Sequence, residues 1–248
     1  MKCFAMLKLG RMVLRIRFRP GLVPTLATIV AMAVMVKLGF WQYGKAQAKA
    51  SLQHTYDLRA GEVAVVIPAT VGNIEDWRYR KVKATGHYLP AHQVLLDNQV
   101  EGEQAGYHVI TPFQAESGAV VLVDRGWIPV GDRSRLPEIQ TPAEALTVQG
   151  FSWIPSTKYF ELMPPDNSSW QPVWQNLNLA RYNQAASLKV LPFVIRLDAD
   201  SPAGGFVRNW VPPADRMEQH LSYALQWWGF AATLFVIWVF VNIKKETS

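Results

Sequence analysis

The chain has 248 residues, half of them hydrophobic, and 25 Lys and Arg against 19 Asp and Glu give a formal charge of +6. Residues 45–219 hold 16 basic and 18 acidic side chains, so the basic excess belongs to the two ends, where it reports membrane topology and excludes a nucleic-acid-binding reading. The single cysteine, Cys3, lies in the first flank and leaves the rest of the chain without disulfides or thiolate copper chemistry.

Residues 1–20 read as a basic cytoplasmic N-terminus, with Lys2, Lys8, Arg11, Arg15, Arg17 and Arg19 and no acidic residue. Cationic flanks resist translocation, and their partner is the anionic headgroup region of a lipid bilayer. Residues 21–43 read as a first transmembrane helix: 21–36 are uncharged, and the apolar character resumes after Lys37 with Leu38, Phe40, Trp41 and Tyr43. Lys37 is expected to snorkel, its ammonium reaching the interface. Ala46-Gln47-Ala48 also resembles a signal-peptidase site, and the Arg-rich leader resembles a mitochondrial one. The distance from the N-terminus and the two flanking lysines favour an uncleaved anchor in a bacterial inner membrane.

Residues 44–219 have room for one translocated, periplasmic domain with its own core. Residues 80–88, 94–100, 107–113, 119–128, 146–154 and 191–197 are short runs rich in Val, Ile, Leu and aromatics, separated by Gly, Pro, Asp, Asn or Glu. Ser117-Gly118 predicts a tight hairpin, and the succession predicts an antiparallel meander or a partly closed barrel. Helix is expected at 45–59, continuing the first span, and at 177–188. Residues 166–171 and 201–205 read as loops, the second a linker toward the last span.

The second transmembrane helix is 220–243, with no charged side chain from 221 to 243, a length of roughly 35 Å in a helix. A cytoplasmic tail, 244–248, opens with Lys244 and Lys245. Both termini are therefore placed in the cytoplasm and the middle across the membrane. The fold class is two transmembrane helices flanking a mainly β (α+β) extracytoplasmic domain.

Several motifs fail on inspection. Gly39-Phe-Trp-Gln-Tyr-Gly44-Lys45 fits seven positions of the phosphate-loop pattern, but Ala46 stands where Ser or Thr should hold magnesium. His87, His92 and His108 fall in or beside the first three strands at no known metal spacing, although neighbouring strands could bring two together. Asn167-Ser168-Ser169 matches a glycosylation acceptor that matters only in a eukaryotic secretory context. Asp124-Arg125-Gly126-Trp127 reads as a strand-end ion pair, a glycine turn and a buried Trp, with no catalytic set.

In a helix, His220, Tyr223, Ala224, Trp227 and Trp228 form one stripe, small Ala224 leaving a recess between aromatics, with Trp41 and Tyr43 at matching depth on the first span. As plain anchors, Trp and Tyr enrich at membrane interfaces and a histidine at a helix start satisfies backbone groups. In the functional alternative, neutral His220 imidazole coordinates a haem iron while the aromatics pack on the macrocycle, and Gln226 bonds a second helix or a propionate.

The chain resembles the surfeit-locus (Surf-one) family of cytochrome c oxidase assembly factors. Five blocks in order carry the likeness: Gly39-Phe-Trp-Gln; Tyr79-Arg80-Lys81-Val82 leading to Gly86; Gly106-Tyr-His-Val-Ile-Thr-Pro-Phe113; Val121-Leu-Val-Asp-Arg-Gly-Trp-Ile-Pro129; and His220-Leu-Ser-Tyr-Ala-Leu-Gln-Trp-Trp228. The resemblance implies a non-enzymatic factor that binds haem a or delivers it to the oxidase catalytic subunit, alongside other assembly factors. It makes His220 the candidate axial ligand of the haem iron, with Tyr223, Gln226 and Trp227 as the pocket and no catalytic residues. The Gly39-Phe-Trp-Gln and Arg125-Gly126-Trp127 blocks become structural or partner-contacting. A second axial ligand is left open between His54 and Met217. Lys45 stands where the family usually has Arg, and Gln219 where Asn commonly precedes the histidine, which puts the family's way of capping that helix in doubt. The alternative is a cofactor-free scaffold that stabilises the nascent subunit.

Overall fold

The computed structural model describes residues 8–9, 12–13, 15–157 and 170–246, so Asn167-Ser168-Ser169 and most of the predicted loop at 166–171 lie outside the described residues. Contacts divide the chain into two compact units, Met1–Gln53 with Pro212–Ser248 and His54–Val211.

The first unit is built on two apolar helices. Helix α1, Leu22–Ala60, is continuous through the whole predicted first span and the predicted 45–59 extension. At 39 residues it reaches about 58 Å, well beyond a hydrocarbon core. Helix α3, Met217–Asn242, begins three residues before the predicted start. Its N-cap is Arg216, which makes no side-chain cap bond, so Gln219 sits inside the first turn and is not the capping residue. Both helices are long and apolar enough to cross a membrane, with 6 % and 11 % of their most apolar windows buried by protein. Such low coverage separates them from the core helices of a water-soluble domain, because Leu26, Val30 and Phe40 on one, and Phe235, Val236 and Val241 on the other, face outward. A short strand at Arg15–Phe18 pairs antiparallel with Ile243–Glu246.

The two helices meet along a seam. On α1 the covered positions include Thr25, Thr28, Met32, Met35, Gly39, Gln42 and Ala46, which alternate by three and four, the spacing of a straight inter-helix stripe. Contacts of Trp238 with Thr25, Trp228 with Gly39 and His220 with Gln42 run in opposite directions on the two helices, which makes the pair antiparallel. Apart from Asn242 at the end of α3, the buried positions of the two helices are the small Gly39, Ala46, Ala224 and Ala231, as expected where lipid gives no hydrophobic drive and packing decides.

The second unit is a sheet that curls. Its strands are β1 (Val65–Val66), β2 (Lys81–Tyr88), β3 (Val94–Glu101), β4 (Gln104–Ala115), β5 (Val120–Pro129), β6 (Leu146–Trp153), β7 (Val173–Trp174) and β8 (Val190–Leu197), with helix α2 (Leu179–Ala186) before β8. All six sequence-predicted strands and the α2 region appear with shifted ends. The spatial order is β7-β3-β4-β5-β8-β6-β2-β1, and an extra pairing of β4 with β2 closes five strands into a partial barrel. The meander holds only from β3 to β5. Strand β8 inserts between β5 and β6, parallel to β5 and antiparallel to β6. Closure is short: Gly86, His87 and Tyr88 pair with Ala115, Gln114 and Phe113.

Strands β5 and β8 are buried at nearly every residue because both faces are covered. Inward, Val82, Phe113, Val121, Val123, Phe193 and Ile195 fill the barrel. Outward, Ile110, Leu122 and Val194 pack under Trp174, Tyr182 and Ala186. Asn178 caps α2 by accepting from Arg181 N at 3.0 Å.

Residues 201–205 are not the expected linker. Arg208 donates to the carbonyls of Asp198, Ser201 and Gly204, while Tyr88 donates to Ala203 O at 2.9 Å, so the segment is strapped to the barrel. Burial pushes the Tyr88 phenol up to about 12.

Candidate functional site

In the first unit, His220 lies on the first turn of α3, where its Nδ1 stands 2.8 Å from Gln42 Oε1 of α1. With the amide oxygen as acceptor, Nδ1 carries the proton and Nε2 keeps its lone pair. No hydrogen-bond partner for Nε2 occurs among the described residues. A fixed ring with one free imine nitrogen is the arrangement that prepares a histidine to ligate a metal.

The predicted stripe divides in two. His220, Ala224 and Trp228 turn into the seam, whereas Tyr223 is half exposed and Trp227 makes an edge contact with Phe230 at 6.1 Å on the outer flank. Ala224 is buried, so it packs against protein and leaves no recess. Gln226 donates to Ser222 Oγ of its own helix at 3.3 Å and bonds no second helix among the described residues. Trp41 faces out with Lys45 Nζ 5.8 Å above its ring, and Gly39, Phe40 and Tyr43 meet Trp228 instead. Met217 is one turn before His220, and His54 belongs to the other unit. In the sequence Gln42 stands out only as part of the Gly39-Phe-Trp-Gln motif. The three-and-four spacing from Gly39 could have placed it on the seam.

Gly39 is where the seam is tightest, since a Cβ there would come within 2.2 Å of Trp228 Nε1. Gly39→Leu should displace the indole and cost about 1–3 kcal/mol of helix pairing. Thermal unfolding in micelles checks this, and an unchanged midpoint would mean that the seam has slack.

In the second unit, the expected Asp124–Arg125 ion pair does not form, because successive residues of a strand point to opposite faces. Arg125 turns inward, donating to Gln140 O at 2.7 Å and Thr141 Oγ1 at 2.9 Å, with its guanidinium 4.9 Å from the Phe206 ring and 5.1 Å from Tyr88. Burial pulls this guanidinium below its ordinary value. Asp124 turns outward to His108 Nδ1 at 2.9 Å and lies 3.7 Å from Arg196 Nε. Gly126 sits inside β5, where the register with β4 slips between His108 and Ile110, so it is a bulge within the strand and no turn. Asp124, Arg125 and Trp127 are all buried, as is Trp174. His87 is exposed, and His92 packs edge-on to Trp170 at 5.7 Å. No group of three metal-ligating side chains occurs among the described residues.

Similarity to known proteins agrees with this architecture. The SURF1 family profile matches residues 29–232. A SURF1-like protein of Monosiga brevicollis is 26 % identical over 219 residues, covering 84 % of this chain and 83 % of its own length. One of Rickettsia bellii is 28 % identical over 233 residues, with 86 % and 88 % covered. An uncharacterized SURF1-like protein of Mycobacterium tuberculosis is 29 % identical over 221 residues, with 86 % and 80 % covered. The profile match begins within α1, ends within α3 and includes the whole barrel, so the chain belongs to the SURF1 family, a family of cytochrome oxidase assembly factors.

Proposed function

We propose that this protein serves the maturation of a haem–copper oxidase by holding haem a at His220 and passing it to the catalytic subunit, without catalysing a reaction of its own. The observation that carries the reading is the His220–Gln42 bond, which orients the ring and leaves Nε2 without a partner among the described residues, with Tyr223 and Trp227 further along the same helix. One axial nitrogen on a helix flank would hold a planar cargo loosely, which suits transfer. Tyr223 and Trp227 would offer ring faces, and Gln226 a polar group for a propionate. In this reading the protein sits in a bacterial inner membrane with both termini cytoplasmic and residues 44–219 periplasmic, as the basic flanks favour. The unbroken passage of α1 through Ala46-Gln47-Ala48 supports a retained anchor over a cleaved signal.

Protein purified from cells that make haem a should carry a haem absorption band, and His220→Ala should lose it with the thermal midpoint largely kept. Gln42→Leu should weaken retention about tenfold or more, the usual effect of removing the group that orients a ligating histidine. An unchanged spectrum in His220→Ala rejects the ligand assignment. The His220–Gln42 bond also serves as a plain helix-to-helix strut, which favours one second reading, a cofactor-free scaffold for the nascent subunit. Full oxidase yield with His220→Ala would select it.

A further inference from the structure

Strands β4, β5 and β8 are neighbours, and His108, Asp124 and Arg196 line up across them on the outer face of the barrel. Asp124 is 1 % exposed, and its carboxylate is engaged by His108 Nδ1 at 2.9 and 3.1 Å. Its distance of 3.7 Å to Arg196 Nε gives charge attraction and no hydrogen bond. Arg196 Nε is sealed from solvent and has no acceptor. Neither terminal nitrogen of Arg196 makes a hydrogen bond among the described residues. The guanidinium is stacked on Trp153, 4.0 Å from the ring centroid, with Trp210 at 5.2 Å.

Stacking covers a face of the guanidinium and leaves its edge, the part that carries the N–H fork. The surrounding cavity of about 250 Å³ has Leu96 and Leu177 as apolar wall and Gln99, Gln175 and Asn176 as amides. Burial draws Arg196 below its ordinary pKa while Asp124 pushes it back up. A charge held this way is costly unless further acceptors arrive. A dianionic phosphate would be repelled by Asp124, whereas a flat single-charged anion matches one planar fork and fits a cavity of this size.

We infer that the His108–Asp124–Arg196 cavity is a binding site for a carboxylate group, received on the Arg196 fork beside Trp153 and flanked by the Gln175 and Asn176 amides. The carboxylate belongs either to an acidic side chain of a protein partner or to a small free carboxylic acid. The site does not depend on the reading of His220.

The test uses the full chain in detergent micelles, titrated with propionate, with propionamide as the neutral shape control, and with a blocked glutamyl dipeptide, all followed by calorimetry. At least one acid should bind saturably at one site and the amide should not. Tighter binding of the dipeptide assigns the site to a protein partner, and tighter binding of propionate to a free acid. Arg196→Lys keeps the charge and loses the fork, and should weaken binding at least about tenfold, the worth of one charged hydrogen bond. Gln175→Glu, at an exposed lining position, should weaken it by a similar factor through like-charge repulsion without touching the core, and it decides the matter if Arg196→Lys does not fold. The proposal is overturned if neither acid binds saturably, if propionamide binds as well as propionate, or if the folded variants bind with unchanged affinity.

Discussion

Asp124→Ala should destabilise the barrel by about 3 kcal/mol, because it strips a guanidinium and an imidazole, 24 % and 17 % exposed, of the buried anion they share. The carboxylate is 1 % exposed, so water cannot replace it, and Arg196 has no other acid within ion-pair distance among the described residues. Chemical denaturation in micelles reads the loss, with Trp153 and Trp210 close enough to Arg196 to report on it by fluorescence. The instructive comparison is Asp124→Leu with Arg196→Met in one chain. Removing both charges and filling the space with apolar atoms should recover most of the stability, since a buried ion pair is worth little more than well-packed hydrophobic residues of the same volume. The double variant should also lose carboxylate binding while remaining folded, which separates what the charges do for the fold from what they do for a ligand. A double variant as unstable as Asp124→Ala alone would show that the polar row is required to align β4, β5 and β8.

The strands were legible because their physics is local. Alternation or continuity of apolar residues marks a half-covered or fully covered strand, and the Gly and Pro clusters between them mark turns, so Ser117-Gly118 was recognisable as a hairpin, where Gly118 N now bonds Ala115 O at 2.9 Å. What stayed hidden depends on partners far along the chain. Nothing local in β8 says that it slots between β5 and β6, parallel to a strand about 70 residues earlier, because sequence adjacency gives no register for a crossover. Adjacency suggests an Asp124–Arg125 pair, yet strand alternation sends the two to opposite faces, where each finds a partner on another element. Residues 201–205 read as a linker from composition alone, and it is the neighbouring Arg208 together with the distant Tyr88 that make them part of the barrel.

The site followed the same rule. His220 was legible because it opens an uncharged helical stretch, a placement that composition displays directly. Gln42 was not, since identifying it requires the antiparallel register of two helices, which a stripe of small residues restricts and does not determine. Arg196 gave no signal, being one basic residue in an otherwise apolar strand. Its meaning comes from Asp124 on one neighbouring strand and Trp153 on the other.

Gly86→Val should open the barrel, at a cost of about 3 kcal/mol or more. Gly86 is the residue of β2 paired to both β4 and β6, through Ala115 and Leu146. A Cβ there would fall 2.0 Å from Gln114 O and 2.9 Å from Ala115 Cα. Those atoms are backbone, so no rotamer change relieves the clash and the strands themselves must part. Closure rests on three residue pairs, and its flanking bonds, Leu89 N to Pro112 O at 2.8 Å and Glu116 N to Thr85 O at 2.9 Å, would break with it. The uncovered side chains would include Tyr88 and Phe113, whose rings now meet edge to face at 5.2 Å inside the core. Hydrogen exchange should therefore quicken at the Leu89 and Glu116 amides before it changes in β5 or β8, because β5 and β8 keep neighbours on both edges when β2 leaves β4. Retained protection at those two amides in a folded Gly86→Val chain would mean that the barrel closes elsewhere, and that the glycine is tolerated there without being required.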